Sequence, residues 1–113
     1  MYRGIVQKGK RRGAALGFPT ANIALAGTEV SGIYAAKAIV GGKEYQAAAF
    51  ANPERELLEA HLLDFSGDLY GKSIEIELFE KIRESMKFSD DTALRAAIAD
   101  DIRRIRALLG KRP

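Results

Sequence analysis

The hydrophobic rhythm of the chain changes once, near residue 89, and that change limits the folds open to it. Ser73 to Ile82 (SIEIELFEKI) alternates apolar Ile74, Ile76 and Leu78 with polar Ser73, Glu75 and Glu77, as a half-buried strand does. Beyond Ser89 the apolar residues Leu94, Ile98, Ile102, Ile105 and Leu109 recur at spacings of three and four. They draw one stripe along a helix of about five turns. Ser89 is placed to cap that helix, Asp90 and Asp91 open it, and Gly110 closes it. Strands first and one helix last predict an antiparallel sheet or barrel with a helix packed on it.

The other strands are bounded by turn residues. Tyr2 to Lys8 reads as the first strand, and a glycine-rich loop with Gly9, Gly13 and Gly17 follows. Ala21 to Leu25 is a short extended piece. Gly32 to Val40 (GIYAAKAIV) and Lys43 to Phe50 form a hairpin around Gly41-Gly42. Leu57 to Phe65 reads as a buried strand, and Ser66-Gly67-Asp68 as a turn. The 113 residues contain no repeat, linker or low-complexity tract, so residues 1–113 read as a single domain.

Composition narrows the functional classes. With no cysteine there is neither a disulfide scaffold nor a thiolate metal site. No apolar run approaches membrane-spanning length, and the N-terminus lacks the apolar stretch of a signal peptide, so a cytoplasmic protein is expected. The net charge of +3 suits an anionic ligand, nucleotide or nucleic acid. Lys8, Lys10, Arg11 and Arg12 form one basic cluster; Arg103, Arg104, Arg106, Lys111 and Arg112 form another, at a helix C-terminus whose dipole favours cations.

Four places can carry chemistry. Gly4-x4-Gly9-Lys10 has the outline of a P-loop, but Arg11 stands where the magnesium-binding hydroxyl belongs and no helix follows. Its glycines can still expose backbone N–H groups to an anion, although turns between strands explain them equally well. In Gly17-Phe18-Pro19-Thr20-Ala21-Asn22, Thr20 and Asn22 share one face of an extended segment. A hydroxyl and an amide oxygen so placed suit a hard cation whose other positions are filled by phosphate and water, or simply make a turn. In Leu57-Leu58-Glu59-Ala60-His61, Glu59 and His61 share a face opposite Leu58 and Ala60. A carboxylate in such a strand is either a candidate general base or a solvated edge residue. His61 is the one histidine and reads as structural. The stretch Asp64 to Lys72 (DFSGDLYGK) reads as a turn with two glycines, whose Tyr70 either packs a ligand or, the commoner role, fills the core. Arg83 reads as one half of a surface salt bridge, and Phe88 as a staple between helix and barrel.

The order of these motifs is more specific than any one of them. GIVQKG, GFPTANI, GIYAAK, LEAHLLDFSGDLYGK, KIR and then KF before a capped helix resemble the riboflavin kinase family over about Tyr2 to Leu109. They look like the kinase half of bifunctional bacterial flavin-making enzymes. The resemblance implies a mainly β fold, a six-stranded antiparallel Greek-key barrel with a C-terminal helix. It implies transfer of the ATP γ-phosphate to the terminal ribityl hydroxyl of riboflavin with Mg2+, giving FMN but not FAD from this chain. It makes Glu59 the catalytic base and Thr20 and Asn22 the magnesium ligands. Gly9, Lys10, Gly13, Thr20, Asn22 and Tyr70 then lie at the nucleotide, and Arg83, Met86 and Phe88 at the flavin. The expected partners are riboflavin or FMN and ATP or ADP, with no membrane, and the expected state is a monomer.

Two departures from the family pattern stand out. Ala14-Ala15 replaces a basic residue after the loop glycine, and Phe50 to Arg55 (FANPER) replaces a longer N-I-G-x-x-P-T stretch. They leave open a flavin- or nucleotide-binding barrel without catalysis, against which the retained Thr20, Asn22 and Glu59 argue. A nucleic-acid-binding barrel ranks below both, because such surfaces interleave exposed aromatics with basic residues and the aromatics here sit in strands and turns.

Overall fold

The computed structural model describes residues 1–7, 20–27, 29–65, 67–86 and 88–110. Among the described residues six strands appear in chain order: β1 (Tyr2–Ile5), β2 (Thr20–Ala24), β3 (Gly32–Val40), β4 (Lys43–Asn52), β5 (Leu57–Leu62) and β6 (Ser73–Arg83). A helix, α1 (Asp91–Leu109), follows them. All the strand pairs are antiparallel, in the order β1-β6-β3-β4-β5-β2. The two ends of that order approach each other: the Gln7 amide donates to the Asn22 carbonyl at 2.7 Å, nearly closing a barrel. The fold is therefore the six-stranded antiparallel barrel with a C-terminal helix that the motif order implies.

Local chemistry explains the elements. The β3–β4 hairpin turns at Gly41 and Gly42 with φ of 58° and 79°, a pair of left-handed residues that glycine adopts without cost. β4 runs past the expected Phe50 and ends at Asn52, where Pro53 cannot donate to the ladder, and a four-residue turn returns the chain to β5. β5 stops at Leu62, short of the expected Phe65, because Asp64 takes a positive φ of 60°. β1 stops at Ile5 rather than continuing to Lys8, which lies outside the described residues. The helix cap is also one residue later than expected. Asp90 is the N-cap, not Ser89: its carboxylate accepts from the Ala93 amide at 2.8 Å, and the negative charge suits the helix N-terminus.

Strand alternation sorts the side chains into two clusters. The barrel interior combines seven alanines, Ala21, Ala36, Ala38, Ala47, Ala49, Ala51 and Ala60, with larger aliphatic side chains, among them Ile23, Leu58, Ile74 and Ile76. A second cluster lies outside the barrel, where Ile105 of α1 packs on Ala35, Ala48, Leu63 and Ile82. Ala35 and Ala48 are cross-strand partners, so two small residues leave a shallow seat for the helix. Polar ties hold the helix there. Arg106 pairs with both carboxylate oxygens of Asp64 at 3.0 and 3.1 Å, and those hydrogen bonds hold the Asp64 carboxyl below the usual carboxylate range. Gln46 Nε2 donates to the Gly110 carbonyl at 2.8 Å.

Ile105 is fully buried in this seat. Ile105→Ala should lower the unfolding free energy by about 2–5 kcal/mol, the range for deleting a large aliphatic side chain from a packed core. Urea unfolding measures this, and a loss well below that range would mean that α1 contributes little to the folded state.

Candidate active site

The motif residues of β2 and β5 meet because these two strands pair. Asn22 lies directly opposite Glu59, and Thr20 directly opposite His61. Opposed residues of an antiparallel pair point to the same face. Here that face is the outside of the barrel, since their neighbours Ala21, Ile23, Leu58 and Ala60 fill the inside. Two motifs far apart in sequence thus put a hydroxyl, an amide, a carboxylate and an imidazole on one patch. Asn22 and His61 are buried, whereas Glu59 keeps a side-chain exposure of 31%. The His61 Nε2 stands 3.5 Å from Glu59 Oε1, so the imidazole flanks the carboxylate and leaves part of it open.

The register carries this patch across the sheet. Asn22 opposes Glu59, Glu59 opposes Phe50, Phe50 opposes Ile33, and Ile33 opposes Arg83. Five strands therefore contribute one transverse row with the amide at one end and the guanidinium at the other. From Glu59 to Arg83 the row spans three inter-strand steps, roughly 14 Å at the usual strand spacing. Register shifts between β3 and β6, next to Ile33 and Tyr34, set where Arg83 falls in this row.

Arg83 is not the surface salt bridge that its sequence context suggests. Its side chain is 20% exposed and binds Asp101 of α1, which is itself almost fully buried. The guanidinium also stands over the Phe88 ring, 5.8 Å from its centroid, within the range of a cation–π contact. Arg83 and Phe88 are therefore together. Phe88 is half-buried beside β6 and Met86 is 65% exposed. Tyr70 is 56% exposed, so the core role read from its sequence does not hold. The Asp68 carboxylate accepts from the Tyr70 amide at 3.0 Å, and this short turn presents the ring outward. Gly9, Lys10 and Gly13, assigned to the nucleotide, lie outside the described residues.

Two residues in this region carry signals that motif spacing does not reveal. Phe50 stands between Ile33 and Glu59, half-buried, and is absent from both packed clusters. Its only trace in the sequence is an aromatic just before the shortened loop. Asp101 had a clearer sign, because a carboxylate three residues after Ile98 and four before Ile105 falls on the apolar stripe of the helix.

Thr20 and Asn22 fit the demands of a hard cation as two oxygen donors on one face, beside a carboxylate. Among the described residues no group of three or more His, Asp and Glu side chains gathers into a metal cage. A cation held here must then take most of its ligands from a bound phosphate and from water, as magnesium usually does. Among the described residues no helix is long and apolar enough to cross a membrane.

The comparisons with known proteins agree with this architecture. A family model for flavokinase, riboflavin kinase, matches residues 1–109. A bifunctional riboflavin kinase/FMN adenylyltransferase of Bacillus subtilis is 35% identical over 111 residues, covering 88% of this chain and 35% of its own length. The chain thus spans about a third of the length of that relative. A crystal structure of riboflavin kinase from Trypanosoma brucei superimposes with a TM-score of 0.67 at 28% identity, covering 95% of this chain and 77% of that one. A Streptococcus pneumoniae structure described as a macrolide-efflux protein gives a TM-score of 0.79 at 26% identity, covering 92% of this chain and 37% of that one. The family match runs from the first strand to the end of the helix, and with it the chain belongs to the riboflavin kinase family.

Proposed function

We propose that this chain phosphorylates riboflavin to FMN with ATP as donor, and that Glu59 is its general base. The observation that carries the reading is the pairing of Asn22 with Glu59, which sets a part-exposed carboxylate beside a phosphate-compatible amide and hydroxyl. Phosphoryl transfer asks little covalent chemistry of a protein. It asks for in-line positioning, neutralised phosphate charge and a group that receives the hydroxyl proton.

Glu59 accepts the proton of the terminal ribityl hydroxyl as that oxygen bonds to the γ-phosphorus. The bond from the γ-phosphorus to the bridging oxygen breaks, and ADP leaves with the electron pair. His61 braces the carboxylate from the side. Thr20 and Asn22 would hold magnesium, which when bound neutralises charge on the phosphates. Gly9, Lys10, Gly13 and Tyr70 belong to the nucleotide side in this reading, and Arg83, Met86 and Phe88 to the flavin ring. Residues 1–113 then act as one kinase domain, a monomer in the cytoplasm.

The row from Arg83 to Glu59 supports this orientation. Its span of roughly 14 Å, from the strand spacing, suits a tricyclic ring at one end and a ribityl chain reaching the carboxylate. Ile33 and Phe50 supply an apolar floor between them.

The test is turnover. Purified protein with riboflavin, ATP and magnesium should yield FMN, resolved by chromatography, and should yield none once the magnesium is chelated. Riboflavin fluorescence that is quenched without any FMN would replace the kinase by a binding protein that keeps the barrel.

A further inference from the structure

The helix carries one residue that packing alone does not explain. Asp101 is 3% exposed on the buried stripe of α1, between Ile98 and Ile105, where an aliphatic side chain would be expected. Its carboxylate takes Arg83 side-on. Arg83 Nε donates to Oδ1 at 2.9 Å and Nη2 donates to Oδ2 at 2.8 Å. Arg83 Nη1 donates in turn to the Glu84 carbonyl at 3.1 Å.

Such a pair is a weak device for stability, since replacing a buried ion pair by apolar residues of equal volume is often neutral or stabilising. What a two-point pair adds is orientation. Three of the five N–H donors of Arg83 are engaged, and Phe88 lies against the guanidinium. Among the described residues nothing takes the other two N–H groups, and their direction is fixed. They stand at the end of the transverse row remote from Glu59.

We propose that Asp101 is a positioning residue for the ring end of the flavin, acting only through Arg83. Resting on the kinase reading above, the inference is that Asp101 aims the free N–H groups of Arg83 at hydrogen-bond-accepting carbonyl oxygens of a flat heteroaromatic ring. Asp101 does not touch the ring. Because it belongs to α1 while Arg83 ends β6, docking of the helix and binding of the flavin are linked. The nucleotide end of the row, at Asn22 and Thr20, is independent of the pair.

The experiment is a double-mutant cycle on the full chain. Riboflavin binding is read from quenching of its fluorescence, and FMN formation is read with each substrate varied, for wild type, Asp101→Asn, Arg83→Ala and the double variant. Asp101→Asn should raise the Kd and KM for riboflavin about tenfold, as loss of alignment does, while the KM for ATP and kcat stay unchanged. In the Arg83→Ala background it should add nothing to the riboflavin Kd. Thermal melting by circular dichroism checks that each variant is folded. If Asp101→Asn melts, the paired change Arg83→Met with Asp101→Leu removes the ion pair but keeps the volume, and it should remain folded and bind riboflavin more weakly. Three results would overturn the proposal: an unchanged riboflavin Kd in a folded variant, an equal loss for both substrates, or the same loss when Arg83 is already alanine. If wild type binds riboflavin but makes no FMN, the kinase reading fails while the binding cycle still decides the role of Asp101. If wild type binds no riboflavin, both fall.

Discussion

Glu59→Gln should lower FMN formation by about two to four orders of magnitude, the usual contribution of a positioned general base, and leave the fold intact. Gln is close to Glu in size and can keep a contact with His61, which now stands 3.5 Å from the carboxylate. Glu59 is part-exposed on the outer face, so the neutral side chain leaves no buried charge behind. The melting temperature and riboflavin quenching should therefore match wild type, and the loss should fall on kcat. Chromatographic FMN assays with a parallel quenching titration decide the matter. Turnover within a few-fold of wild type would remove Glu59 from the role of base and return it to the status of a half-solvated strand residue.

Gly32→Ala should act through a different link, the backbone that carries Arg83. Gly32 has φ +97°, where an L side chain is strained, and a Cβ there would come 2.7 Å from the Arg83 carbonyl oxygen. It would also come 2.8 Å from Lys81 Cε, but a lysine chain can swing away whereas the β6 backbone cannot. Strained φ costs about 1–3 kcal/mol and overpacking a similar amount, so a combined loss of about 2–5 kcal/mol is expected. The displaced Arg83 should also weaken riboflavin binding. Gly42→Ala is the control: φ is +79°, with nothing within 4 Å of the new Cβ, so only the strain remains. Urea unfolding compares the two variants, and equal losses would show that the approach to Arg83 does not matter.

Much of this arrangement was legible in the residues. Alternation at Ser73 to Ile82 and the stripe from Leu94 to Leu109 give β6 and α1, and Gly41-Gly42 gives the hairpin, because periodicity and turn chemistry are local. Faces were legible too: Thr20 shares one with Asn22, and Glu59 with His61. What spacing could not supply is the pairing of β2 with β5, a contact between distant segments that depends on how the sheet closes. The motif order, through its resemblance to a known family, assigned Thr20, Asn22 and Glu59 to one site but did not name the strand pairing that joins them.

The misreadings have physical causes. Ser89 and Asp90 are both good caps, and the choice between them turns on which one reaches the Ala93 amide. Tyr70 resembles a core aromatic until the turn at Asp68 directs it outward. Arg83 looked like a surface cation because its partner, Asp101, lies 18 residues away on an element whose docking angle no local pattern encodes.

The alanine-lined interior described above bears on how the protein responds to temperature. Alanine has almost no rotamer freedom to lose on folding, so ordering these seven positions costs backbone entropy and little more. Each methyl also hides less apolar area than a leucine or phenylalanine would, and it is hydration of newly exposed apolar area that gives unfolding its large heat-capacity increment. The alanine positions therefore add little to that increment, and the curvature of the stability curve comes mainly from the larger side chains beside them, Ile23, Leu58, Ile74 and Ile76 among them.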